Sequence, residues 1–179
     1  MPSEQIPYSR IVSCYDTLPK LEGRTVHAFH SEYSFAALRL DNEEVIAFTV
    51  EEESVGKWFE VFPICLHRVS SAYHLAWTEL DMPFTVARSG MLWREEWLEP
   101  AKDSSGLVGS GPHYEQCVST LGSAPKSSAS VIKVLAGVRL SGWDKRSLVI
   151  CSSDNTPFKV DLTMDCSEIQ ELMRFHTCE

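Results

Sequence analysis

The chain has 179 residues, 44% of them hydrophobic and 23% charged, an ordinary globular mix and enough chain to bury a full core. Sixteen Lys and Arg face 25 Asp and Glu, a net charge of -9, which argues against nucleic acid as a partner because such proteins need a basic face to displace counterions from phosphate. Met1–Arg10 is polar and no apolar run approaches the roughly 20 residues of a spanning helix, so the expectation is a cytoplasmic protein away from the membrane.

Ile6–Leu21, with Pro7 and Pro19, reads as an irregular lead-in. A β-rich stretch then opens. Arg24–His30, Phe35–Leu40 and Val45–Glu51 read as three antiparallel strands, with Asp41-Asn42 turning the chain before the third. Val26, Ala28 and His30 are expected on one side of the pleat, and Ile46, Phe48 and Val50 on one face of the third strand. Trp58–Leu66 is β-prone, although Pro63 confines it to an edge or bulge. Val69–Leu80 is ambiguous; as a short helix it would set Tyr73, Ala76, Trp77 and Leu80 on one stripe. Pro83–Val86 and Met91–Leu98 read as two β segments divided by Ser89-Gly90.

Pro100–Gly111 and Leu121–Ser130 are Gly-, Ser- and Ala-rich breaks. Val131–Leu140, Ser147–Cys151 and Phe158–Leu162 resume strand character, with Asp154-Asn155 before the last. This outline echoes the first three strands and suggests two similar β-meander units. Asp165 has the chemistry to cap a closing helix, with Glu168 at capping-box spacing. Ile169, Leu172, Met173 and His176 fall at helical period on its sheet-facing side. The expected fold is a single α+β domain over residues 1–179, mainly antiparallel β-sheet with a C-terminal helix packed on it.

Charge is unevenly spread. Residues 41–60 hold seven acidic side chains against Lys57 alone, an acidic surface suited to a protein partner. The six cysteines are scattered without a Cys-x-x-Cys pair, which fits small buried reduced thiols. His27 and His30 point to opposite sides of a strand, and Cys65, His67 and His74 lack a fourth ligand at a familiar zinc spacing, so neither metal nor cofactor is expected. His113 and Cys117 are four residues apart and would meet on a helix over Pro112–Val118, where a Cys–His pair supports an activated thiolate. Gly106–Gly111 has no Lys-Ser/Thr ending for a phosphate loop.

The most unusual stretch is Leu92–Leu98. Trp93, Arg94, Glu95 and Trp97 combine paired aromatic rings with interleaved charge, which fits either rings packed in the core with solvated charges or a binding surface. Surplus tryptophan and several edge segments suggest a homodimer. Leu92–Pro100, Gly106–Cys117 and Ser153–Asp161, under half of the chain, resemble segments of uncharacterised bacterial proteins carried on mobile (integron) gene cassettes. That resemblance implies a compact, often oligomeric accessory protein and assigns no residue a role. The functional expectation is a non-catalytic binding or interaction protein. The alternative is a small enzyme using Cys117 and His113.

Overall fold

The computed structural model describes residues 10–12, 20–55, 60–69, 74–99, 116–119, 130–153, 156 and 158–179, with backbone alone at 10–12, 97–99, 116–119 and 130. The strands in chain order are β1 (Arg10–Val12), β2 (Thr25–Glu32), β3 (Phe35–Leu40), β4 (Val45–Val50), β5 (Glu53–Ser54), β6 (Glu60–Val61), β7 (Ile64–Val69), β8 (Thr78–Glu99), β9 (Gln116–Ser119), β10 (Ser130–Gly142), β11 (Ser147–Ser152), β12 (Val160–Thr163) and β13 (Thr177–Cys178). Helix α1 (Cys166–Leu172) lies between the last two. Among the described residues, eleven strands form one sheet in the order β12-β11-β10-β8-β2-β3-β4-β7, with β1 joining β10, and β9 and β13 joining β8. All these pairings are antiparallel except that of β1 with β10. The α+β class holds.

The sequence builds two meanders, and they flank a shared strand. β2-β3-β4 pairs onto the start of β8, while β10-β11-β12 pairs along its remainder. The Asp41-Asn42 signal works as expected: Asn42 and Glu43 turn the chain at φ of 62° and 59°. Arg24 ties this turn to β2, its Nε donating to Asp41 Oδ1 at 2.8 Å and its Nη2 to Glu44 Oε2 at 2.7 Å.

β8 is continuous where sequence reasoning expects two segments. Pro83 is tolerated because the register with β2 jumps between Ala28–Glu79 and Val26–Phe84. Residues 80–83 bulge away from the ladder, so the missing N–H of Pro83 costs no sheet bond. The freed carbonyls of Met82 and Pro83 accept instead from Arg146 Nη1 and Nη2, at 2.9 and 2.8 Å. The same bulge reorders β2. Val26 enters the main core and Phe29 packs against it, while His30 meets the rings of Phe35 and Trp77. The expected single file of Val26, Ala28 and His30 is therefore broken. The ambiguous Val69–Leu80 stretch is strand at its described ends: Val69 closes β7 and Thr78 opens β8.

The main core gathers Leu38, Leu40, Ile46, Phe48, Ile64, Phe84, Val86, Trp93, Leu135, Val138, Leu140, Leu148 and Ile150 from both meanders and β8. A smaller cluster of Leu92, Val149, Cys151 and Ile169 seats α1, with Leu172 and Met173 packed on it. Asp165 caps that helix through the amides of Ser167 and Glu168. Glu168 does not complete the capping box; its carboxylate accepts from the hydroxyl of Thr163. α1 is also shorter than the expected span to His176. The chain leaves the helix after Leu172, a ring nitrogen of His176 meets the Leu172 carbonyl at 2.8 Å, and β13 follows.

Cys65 is disulfide-bonded, whereas Cys151, Cys166 and Cys178 are free thiols. The expectation that every cysteine is reduced fails at Cys65, since the scattered spacing gave no signal of which thiols the fold would juxtapose. No helix among the described residues is long and apolar enough to cross a membrane.

Candidate functional site

The four residues of the tryptophan stretch lie on β8, but alternation separates them. Trp93 is only 7% exposed and packs in the main core, with Lys133 Nζ 4.7 Å from its ring centroid. Arg94 is equally buried, donating from Nε to Glu96 Oε1 at 3.0 Å and from Nη1 to Ser152 Oγ at 3.4 Å. Glu95 is half-buried opposite Lys133. The backbone of Trp97 pairs with Val131 and Val118, and its side chain is outside the described residues. At Trp93 and Arg94 the stretch is interior structure.

Of the acidic stretch, Asp41 and Glu44 are engaged by Arg24, whose side-chain hydrogen bond holds the Asp41 carboxyl below its ordinary value. Glu43, Glu52 and Glu60 remain exposed. Cys117 lies in β9 opposite Leu98, so the helix expected over Pro112–Val118 does not extend across its end, and His113 lies outside the described residues. Gly106–Gly111 lies outside them too. His30 is occupied by the Ala76 carbonyl and the Glu32 carboxylate, each at 2.8 Å. Among the described residues no three His, Cys, Asp or Glu side chains converge on a point where a metal ion would sit.

A cleft of about 480 Å³ opens elsewhere on β8 and β10, lined by Arg88, Ser89, Gly90, Arg139, Ser141, Cys178 and Glu179. Register builds it. Arg88 stands opposite Ser141, and Gly90 opposite Arg139. Val138 and Leu140 face the main core, so Arg139 and Ser141 must face away from it, and Arg88 and Gly90 share that side. The two arginines are diagonal neighbours, a placement that sets residues about 7–8 Å apart and their β-carbons somewhat closer. Gly90 supplies the floor. A methyl group there would lie 2.7 Å from Cys178 Sγ and 3.3 Å from the Glu179 carbonyl, so glycine leaves room for the C-terminal strand that pairs beside β8.

The charges of the cleft are open. Arg88 and Arg139 have no ion-pair partner among the described residues. Arg139 Nη2 reaches Ser147 Oγ at a long 3.5 Å, and its Nε is buried with no hydrogen-bond partner. The nearby carboxylates are committed. Glu179 holds Lys133 Nζ at 2.7 and 2.8 Å, and Glu22 accepts from the amide and hydroxyl of Ser89. The Ser89 hydroxyl is the leading cause holding the Glu22 carboxyl below its ordinary value.

None of these lining residues was singled out from the sequence. The alternation Val138-Arg139-Leu140-Ser141 does signal an outward Arg, but only the register between β8 and β10 brings Arg88 beside it. No family model, curated protein or solved structure matches this chain.

Proposed function

We propose that the chain is a non-catalytic binding protein that takes a small ligand in the cleft between Arg88 and Arg139. One observation carries this reading: two neighbouring arginines line a cavity whose one acidic lining residue, Glu179, has its side-chain carboxylate held by Lys133, and neither arginine has an ion-pair partner among the described residues. Arg139 is half-buried with its Nε unpartnered, which costs stability that a ligand supplying the acceptor would return. The decisive experiment is retention. The protein is incubated with pooled anionic, neutral and cationic small molecules, and the retained compounds are identified by mass spectrometry after ultrafiltration. The expected result is a compound recovered chemically unchanged and lost when Ser141→Trp fills the cleft. Recovery of an altered compound, retention unaffected by Ser141→Trp, or no retention would overturn the reading.

Self-association as a two-fold dimer is part of the same proposal. Its support is β7, a terminal strand of the sheet whose outer edge has no strand partner among the described residues. Trp93, buried in the core, takes no part in that contact. A single 20.2 kDa species by sedimentation equilibrium across a wide concentration range would remove the dimer.

A further inference from the structure

We infer that the ligand of the Arg88–Arg139 cleft is a small molecule bearing two negative charges on oxygen, as a phosphate monoester or a dicarboxylate does. This rests on the binding reading above and names its chemistry. The lining is rich in donors. Arg139 commits one long bond to Ser147 and keeps a buried Nε–H unspent, and Arg88 commits none among the described residues. Ser141 adds a hydroxyl between them. A guanidinium is a planar fork that matches two oxygens at once, and two such side chains on diagonal neighbours about 7–8 Å apart can reach one compact dianion or the two ends of a short one. A cationic ligand would meet two fixed positive charges. A neutral one would leave the Arg139 Nε–H without an anionic acceptor.

The location also matters in a chain of net charge -9. Long-range attraction for an anion is lacking, so affinity must come from the two arginines at contact distance. Such binding weakens with added salt, more at exposed Arg88 than at half-buried Arg139.

The test uses the full chain with three probes: inorganic phosphate, succinate, and uncharged succinamide as the control. Binding is read by calorimetry and by amide shift mapping. The expected result is saturable binding of phosphate, succinate or both, with the largest shifts at Gly90, Arg139 and Ser141. Phosphate alone would identify a phosphoryl ligand, and succinate alone a dicarboxylate. Arg139→Met should weaken that binding about tenfold, the loss of one charge-assisted contact. Arg88→Met, at an exposed position, should do the same and serves if Arg139→Met fails to fold. Succinamide binding at the cleft without phosphate or succinate would sink the dianion while leaving the binding function in place. Anion binding unchanged in Arg88→Met would place it elsewhere and overturn the inference. If the probes move no cleft amide at millimolar concentration, the dianion also falls, and the retention experiment alone then decides the binding function.

Discussion

One carboxylate oxygen of Glu22 accepts from both the amide and the hydroxyl of Ser89, at 3.1 and 2.5 Å. The contact closes a gap in the sheet. On this edge of β8, β2 gives its last pair at Thr25–Thr85, Gly23 and Arg24 bond Val86, and the C-terminal strand resumes at Met91. Between them the Ser89 amide would have no strand to donate to, and a side chain stands in for the missing carbonyl.

Glu22 therefore carries a pH-dependent part of the stability. Its folded carboxyl is lowered from 4.5, first by the Ser89 hydroxyl. A lowered carboxyl contributes stability that is present above the ordinary value and is lost as pH falls through the folded one. Ser89→Ala should cost about 1 kcal/mol at neutral pH, a figure reduced for partial exposure. Thermal unfolding of both proteins across pH should show that cost vanish below both values. A cost independent of pH would mean that the hydroxyl acts through packing.

Two glycines should respond differently to alanine. At Gly137 a β-carbon would lie 2.3 Å from the Ile150 carbonyl and 2.7 Å from Cys151 Cβ, so neighbouring backbone must move. Gly137→Ala should cost about 3 kcal/mol or more in denaturant unfolding, the upper range for overpacking. Gly23 has open space but a φ of +83°. Gly23→Ala should cost nearer 1 kcal/mol, from backbone strain alone. Equal costs would contradict the close approach at Gly137.

Helix α1 is held more by docking than by its cap. Ile169 is 5% exposed against Leu92, Val149 and Cys151, and Ile169→Ala should cost about 2–4 kcal/mol. Asp165→Ala removes the cap of a seven-residue helix and should cost about 1 kcal/mol. Urea unfolding midpoints would rank the two, and the reverse order would show the helix to be loosely seated.

Thiol titration checks the cysteines. Cys166 and Cys178 are exposed and should react in native protein, while buried Cys151 should react only on unfolding. Of the six cysteines in the chain, two belong to the Cys65 disulfide, leaving at most four titratable in denaturant without reductant. Six would show Cys65 to be reduced.

Local chemistry was legible and register was not. Asp41-Asn42 announced its hairpin because those residues tolerate the left-handed turn, and Asp165 announced its helix because a carboxylate satisfies bare amides. The continuity of β8 was hidden. Pro83 and Ser89-Gly90 look like breaks until Arg146 is seen taking the bulge carbonyls and Cys178 packing beside Gly90. Trp93 stayed ambiguous because a ring in an interior and a ring on a surface leave the same mark in a sequence. The Arg88–Arg139 pair left none, since the two residues become neighbours only through cross-strand pairing.

The 22-residue β8 has a consequence for how the chain is made. During synthesis β2, β3 and β4 emerge first and can pair with its beginning at once. Its long edge toward β10 must wait until residues 130–142 have left the ribosome. Throughout that interval the nascent protein displays a bare template for strand addition, with Met91 and Trp93 still uncovered by their later partners. Slow translation beyond Glu99 prolongs this exposure, so recoverable yield should depend on elongation speed over that interval as well as on the stability of the finished fold.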